Sequence, residues 1–378
     1  MGQKGLNDKL NDYLRKHFFD HKYDLFAAFT DKCLQMLSPS GFVGMMTPNV
    51  WMFITSYRKL REEILTSRTI TNLVKLSDTG FTDAAVSVCS FVIRAKCIKD
   101  YIASFVRLNT YSGPEMQEVG FHKAKEERCN DLLYQCNASS FRQIEDWPLT
   151  FWAGKRTKQC FADYPALSTL ASPKQGMATM DTEKYLKMWP EIPIGHTNFL
   201  ARSLQEAQES GKRWFPIHKG GAPRKWYGNN EYVVNWYNDG KELKDFAASI
   251  YGSYSKRIYN TQYFFMEGAT WSAIGYDFAI RYFPQGFTFS NAGMALFAEH
   301  HFLLYVTALL NSKLSRNFLS AINESVNFNQ GDIAKIPIYV DDQKARIIET
   351  KTTDAISLSK QDWDSFETSW DFKKHPLI

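Results

Sequence analysis

At 378 residues and 44% hydrophobic content, the chain can bury more than one core, and its length predicts two domains, perhaps a third. A net charge of +5 permits a polyanionic partner without requiring one. Six cysteines with no CxxC pair, no run of about 18 apolar residues and no signal-peptide start exclude a zinc ribbon, a membrane helix and a secretory leader, so a cytoplasmic protein with reduced thiols and no membrane partner is expected.

The first twenty residues are polar and open on no strand. Residues 6–19 predict a short helix and residues 22–37 a stronger one, with Leu25, Phe26, Phe29, Cys33, Met36 and Leu37 as its apolar stripe and Ser38-Pro39-Ser40-Gly41 as its stop. Residues 41–46 (GFVGMM) predict a buried strand of an α/β sheet. Tyr57, Leu60, Ile64 and Leu65 recur at helical spacing, with Arg58, Lys59, Arg61, Glu62 and Glu63 between them, and the paired acids Glu62-Glu63 read as a solvated face. Residues 70–76 and 86–93 predict two more strands, paired antiparallel. This order suits the second half of a doubly wound sheet.

Residues 101–108 predict a further strand, followed by a polar helical stretch carrying Lys123, Lys125, Glu126, Glu127 and Arg128. Residues 141–150 read as a connection, and a domain boundary is expected near residue 140. Beyond it the chain is rich in Trp, Tyr, Gly and Asn and predicts a mixed α+β domain. Helices are expected at 160–171, 240–250 and 299–320, and strands at 212–217, 231–237, 262–266, 278–283 and 286–290. Residues 341–378 are acidic and read as an exit segment.

The strongest candidate for chemistry is residues 212–227, KRWFPIHKGGAPRKWY. Lys212, Arg213, Lys219, Arg224 and Lys225 can neutralise phosphates, and Trp214, Phe215, Trp226 and Tyr227 can stack on bases. Gly220-Gly221 would let a backbone amide approach a phosphate. The same pattern also suits a solvated basic loop whose tryptophans pack inward. Residues 174–183 place small residues before a helix that Asp181 or Thr182 can cap, either a phosphate site or an ordinary capped helix. Residues 327–333 (NFNQGDI) signal a turn. The eight histidines form no HExxH and no ligand cluster legible in the sequence, and no GxSxG, Walker loop or GxGxxG is present, so neither a metal nor a complete catalytic constellation is expected. A carbohydrate-binding module, the third reading, fits the aromatics but not the cations interleaved with them.

Three stretches in order, KYDLFAAFTDKCLQML, SPSGFVGMMTPNVWM and ITNLVKLSDTGF with AVSVCSFVIR, resemble the latter half of adenine-specific N6 DNA methyltransferases of the gamma arrangement. The later stretches QGMATMDTEKYL, KRWFPIHKGGAPRKWYGNNEYVVNW, ALLNSKLSRNFL and SVNFNQGDIAKIPI resemble the target-recognition region of the large phage-defence (BREX) methyltransferases of the PglX type. The fold this implies is α/β: the C-terminal half of a Rossmann-like methyltransferase sheet over residues 1–108, a connecting segment over 109–150, an α+β target-recognition domain over 151–340 and the exit segment over 341–378.

The activity it implies is methyl transfer from S-adenosylmethionine to a flipped adenine in double-stranded DNA. Phe81 falls at the aromatic that stacks on the target base, or else is a core residue of a hairpin turn. Phe29 falls at an apolar contact to the cofactor's adenine, or else in the core. Pro48, Asn49 and Trp51 fall on a loop at the active-site wall, and Lys212, Arg213, Lys219, Arg224, Lys225 and Trp226 on the DNA-binding surface. The family's catalytic Asn-Pro-Pro-Tyr and cofactor loop are not in this sequence, and residues 1–5 resemble what directly follows that motif. The resemblance therefore implies a fragment, inactive alone, with a separately encoded N-terminal half and other phage-defence subunits as partners. The alternative is a non-catalytic DNA-specificity or partner-docking module.

Overall fold

A computed structural model describes residues 2, 5–82, 86–127 and 131–377. Met1, Gln3, Lys4, Ala85, Arg128, Cys129 and Ile378, on which parts of the sequence reading rest, lie outside them. The chain is mixed α/β and forms two compact units. Residues Met1–Asp163 and Ser320–Glu324 make the first, and Tyr164–Leu319 and Ser325–Ile378 the second. No helix among the described residues is long and apolar enough to cross a membrane.

The first unit opens with α1 (Asp8–His17), capped by Asn7 through the Leu10 amide, and α2 (Leu25–Gln35), capped by Asp24 through the Phe26 amide. Strand β1 (Phe42–Pro48), helix α3 (Arg58–Ser67), strands β2 (Thr69–Lys75), β3 (Val88–Arg94) and β4 (Ile102–Arg107), helix α4 (Pro114–Glu126), strand β5 (Leu133–Asn137) and helix α5 (Lys155–Asp163) follow. The five strands form one sheet in the order β1-β3-β2-β4-β5. The expected β2–β3 antiparallel pair is present, and β2 runs parallel to β4. Leu60, Ile64, Leu73, Phe91, Phe105 and Phe141 fill the core beneath this sheet.

One expectation fails here. The strand expected to be buried is the sheet's edge: among the described residues β1 pairs only with β3, and Phe42, Gly44 and Met46 are exposed. A continuous apolar run is buried only when neighbours cover both faces, and β1 lacks that cover.

The second unit contains β6 (Ser172–Lys174), α6 (Thr182–Tyr185), β7 (Leu186–Met188), α7 (Leu204–Glu209), β8 (Trp214–His218), β9 (Tyr232–Asn235) and α8 (Tyr237–Tyr251). It continues through β10 (Gly268–Ser272), β11 (Ile280–Phe283), β12 (Thr288–Phe289), β13 (Gly293–Phe297), α9 (His300–Asn311), α10 (Lys313–Ile322), whose last residues belong to the first unit, α11 (Gln330–Ala334) and α12 (Asp342–Trp363). Two four-stranded sheets form, β11-β10-β13-β6 and β12-β8-β9-β7. Their aromatic core includes Phe215, Trp236, Phe264, Phe265, Phe289 and Phe297. The strand expected at 262–266 lies instead at Gly268–Ser272, and β13 was not anticipated. Residues expected as an exit segment form α12, whose Ile356 and Trp363 pack against Tyr227 and Leu304.

Candidate functional site

In the first unit, the loop between β2 and β3 carries Phe81. Its root is fixed by side chains. The Ser77 amide donates to Gln117 Oε1 at 3.2 Å, and Gln117 Nε2 donates back to Ser77 Oγ at 3.1 Å. Ser77 Oγ donates to the Tyr111 carbonyl at 3.1 Å, and the Gly113 amide donates to Thr79 Oγ1 at 3.0 Å. Phe81 follows directly on this network and is 43% exposed, so it is not a core residue. Beside it, Met46, Val74, Leu76, Leu108 and Phe121 line a shallow apolar hollow between the sheet and α4.

Pro48, Asn49 and Trp51 lie where β1 ends. The Asn49 amide donates to the Ser87 carbonyl at 3.0 Å, which draws this turn to the start of β3. Trp51 is 1% exposed, donates from Nε1 to Thr47 Oγ1 at 3.1 Å and meets the Phe91 ring edge-on at 5.3 Å. Asn49 is buried and Pro48 half-buried. Trp51 therefore anchors this turn from the core side and presents no face to a ligand.

A residue that the sequence reading did not single out holds this turn. Arg61 is fully buried, donating from Nη1 to the carbonyls of Trp51 at 2.6 Å and Ile54 at 2.9 Å and from Nε to that of Asp146 at 2.9 Å. Burial pushes its guanidinium down to about 10. The signal was present in the sequence: Arg61 shares a helix face with Ile64 and Leu65, three and four positions on.

Phe29 projects from α2 with 60% of its surface exposed, so it too is outside the core. Such a ring can cover one face of a nucleoside base. The sequence holds no glycine-rich loop for the remaining groups of S-adenosylmethionine, so the residues present fit one face of that cofactor and not the whole of it.

In the second unit the basic stretch is not one surface. Strand β8 interrupts it with five buried residues, separating Lys212 and Arg213 from Lys219, Arg224 and Lys225 by roughly 17 Å of extended chain. Trp214, Phe215 and Tyr227 are buried and Trp226 half-buried, so most of the aromatics are core rather than stacking platforms. Arg213 pairs with Glu242 at 3.5 Å, Arg224 with Asp362 at 2.5 Å, and Lys225 Nζ donates to the Asn311 carbonyl at 2.7 Å. Lys212 donates to the Gly195 carbonyl. Lys219 forms no ion pair among the described residues; burial alone lowers its ammonium, and it lies 5.8 Å from the Tyr232 ring.

The glycines serve packing. A Cβ on Gly220 would stand 2.9 Å from the Ala292 carbonyl oxygen, and one on Gly176 would stand 2.0 Å from that of Phe289. Asp181 caps the four-residue α6 through the Lys184 amide, and residues 327–333 lead into α11. Neither is a phosphate cradle.

A family model for the Eco57I restriction-modification methylases matches residues 1–81. The whole chain aligns with the adenine-specific methyltransferase PglX of Lacticaseibacillus casei (strain Zhang) at 31% identity, covering 32% of that protein. It aligns equally fully with the adenine-specific methyltransferase BrxX of Escherichia coli O9:H4 (strain HS) at 32% identity, covering 30% of it. The chain thus spans about a third of the length of these relatives. Among solved structures, the type IIL restriction-modification enzyme MmeI in complex with DNA superposes on 98% of this chain and 49% of its own, with a TM-score of 0.61 at 12% identity, a likeness of fold.

Proposed function

The chain is related along its entire length to part of the adenine-specific methyltransferases PglX and BrxX, and on that ground we propose that it supplies the target-base and DNA-recognition portion of a site-specific DNA adenine-N6 methyltransferase. The full-length alignment is the observation that carries this reading. In it, the first unit is the later part of a Rossmann-like methyltransferase sheet and the second unit is the target-recognition domain. The setting is the phage-defence type that the resemblance in residues 175–338 implies.

Phe81 stacks on the adenine once it leaves the duplex. Stacking offsets part of the unstacking cost, which is a few kcal/mol. The Ser77–Gln117 hydrogen bonds support this role, because a base platform must be held still. Arg61 and Trp51 hold the adjoining wall from behind. Phe29 covers one face of the cofactor's adenine; S-adenosylmethionine, when bound to the assembled enzyme, supplies the methyl group. Orientation of the target amino group falls to an Asn-Pro-Pro-Tyr that this sequence does not contain, so the chain alone transfers nothing. The open β1 edge, with Phe42, Gly44 and Met46 exposed, suits strand pairing with the part of the methyltransferase sheet that this sequence does not contain.

Lys219 contacts backbone phosphates, and Arg213 and Arg224 join it. Their acid partners are no obstacle, since exposed ion pairs are worth about 0–1 kcal/mol and exchange readily for phosphate. The test is DNA binding by fluorescence anisotropy across a salt series. The reading expects affinity to fall steeply with salt and Lys219→Ala to reduce the log–log slope by about 1. Salt-insensitive binding, or none at low salt, would sink the DNA-recognition role.

A further inference from the structure

Three side chains that the sequence places far apart meet in the first unit. His21 ends the 3-10 turn Phe19–His21, Asp31 lies on α2 and Glu63 on α3. One imidazole nitrogen and one oxygen from each carboxylate lie within 4.8 Å of one another. His21 is 7% exposed and Asp31 8%, while Glu63 is half-buried and opens towards solvent.

An ordinary buried ion pair does not account for this geometry. His21 Nε2 stands 3.8 Å from Asp31 Oδ2, beyond hydrogen-bonding reach, and His21 Nδ1 is buried with no hydrogen-bond partner. An imidazole hidden this deeply normally satisfies at least one nitrogen. Asp31 Oδ1 accepts from Gln35 Nε2 at 2.9 Å, which orients the carboxylate and leaves Oδ2 facing the ring. Glu63 forms no ion pair among the described residues. Burial first, then the Asp31 charge, raises its carboxyl above the usual range, with His21 and Arg68 acting the other way. Two carboxylate oxygens and an imidazole nitrogen that converge this closely, on a ring with no hydrogen bond at Nδ1 and none to Asp31, make up a donor set of the kind a transition metal takes.

We propose that His21, Asp31 and Glu63 bind one divalent transition-metal ion, with Zn²⁺ the best fit, and that the ion fastens the 19–21 turn, α2 and α3 to one another. Zn²⁺ takes imidazole and carboxylate donors at about 2.0–2.2 Å in tetrahedral array, which sets donors about 3.4 Å apart. The observed spread closes to that value by rotamer shifts of under about 1 Å per side chain. Two carboxylate charges balance the ion, and water takes the fourth position on the side where Glu63 meets solvent. Because the ion binds the folded arrangement alone, it stabilises the unit by mass action.

The experiment uses the full chain, stripped with a chelator and dialysed, and then titrated with ZnCl₂ by calorimetry with melting followed in parallel. CoCl₂ serves as a spectroscopic probe. One saturable equivalent is expected, with a rise in Tm and Co²⁺ d–d bands free of thiolate charge transfer. Glu63→Gln should weaken Zn²⁺ binding at least tenfold. Its metal-free Tm should equal or exceed that of the parent, since it relieves the Asp31–Glu63 repulsion, and that result separates lost binding from lost folding. Asp31→Asn should behave likewise. Absence of a saturable equivalent, or an equivalent that persists in both variants, would overturn the proposal.

Discussion

The Lys75 ammonium lies 2.8 Å from a Glu324 carboxylate oxygen, with both side chains almost wholly out of water. Arg107 pairs with the other oxygen and stacks over Trp152 at 4.9 Å, and Asn109 Nδ2 donates to the same carboxylate at 3.2 Å. This cluster explains why residues 320–324, far along the chain, belong to the first unit. Removing one member of a buried pair leaves the others charged and unsatisfied, at a cost of roughly 3–5 kcal/mol. Glu324→Gln should therefore destabilise the first unit by about 3 kcal/mol in denaturant titrations. Replacing Lys75 by Met and Glu324 by Leu together should cost clearly less than the two single changes added.

Arg61 donates to three carbonyls at once, two of them in fully buried hydrogen bonds. Arg61→Met keeps much of the packing but takes this donor from the Trp51 and Asp146 carbonyls, each worth about 1–3 kcal/mol, while the Ile54 carbonyl keeps the Tyr57 amide at 3.0 Å. A loss of at least about 2 kcal/mol is expected, read as a fall in the denaturation midpoint. Trp51 fluorescence should change with it, because the residue loses the bond to its own carbonyl.

His218 makes unit two sensitive to acid. Its ring is fully buried, stacked on Phe287 at 4.5 Å, and its Nε2 has no partner. Burial first, then the nearby Arg281 charge, pulls the imidazole well below its ordinary value of 6.5. The folded value is thus depressed relative to the unfolded one. Stability is complete above about pH 6.5 and falls as the pH drops below it, because only the unfolded chain takes up the proton. The slope should approach 1.4 kcal/mol per pH unit between pH 6 and 5. In His218→Phe this slope should flatten, as thermal melts at stepped pH would record.

Phe81→Ala should hardly affect folding, by under about 1 kcal/mol, since the ring is substantially exposed. Circular dichroism melts check this. Phe81→Trp should preserve stacking and Phe81→Ala should abolish it in any assembly that flips a base.

How much of this was legible beforehand depended on whether a feature was local. The helix cap at Asp181 and the β2–β3 pairing follow from turn chemistry and strand patterning, and they were read correctly. The edge position of β1 was not, because a run such as GFVGMM reads alike whether two neighbours flank it or one. Residues 212–227 looked like one basic and aromatic surface because charge is counted along the chain, whereas β8 buries its middle and divides the cations. The pairing of Lys75 with Glu324 spans most of the sequence and carries no local signal. His21, Asp31 and Glu63 likewise converge only through the packing of three segments, so no ligand spacing announced them. Arg61 was the one miss with a visible cue, a cation placed on an apolar helix face.

The central claim is that this chain carries the target-base platform of an adenine methyltransferase while the transfer chemistry resides elsewhere. The most direct measurement is transfer of radiolabelled methyl from S-adenosylmethionine to duplex DNA. It would be made with the chain alone and with the chain mixed with a separately produced fragment that supplies a cofactor loop and an Asn-Pro-Pro-Tyr of the gamma-arrangement adenine methyltransferases. The account predicts no transfer by the chain alone, N6-methyladenine formation in the mixture, and loss of that activity with Phe81→Ala. Methyl transfer by the chain alone, or a mixture whose activity is indifferent to Phe81→Ala, would contradict it.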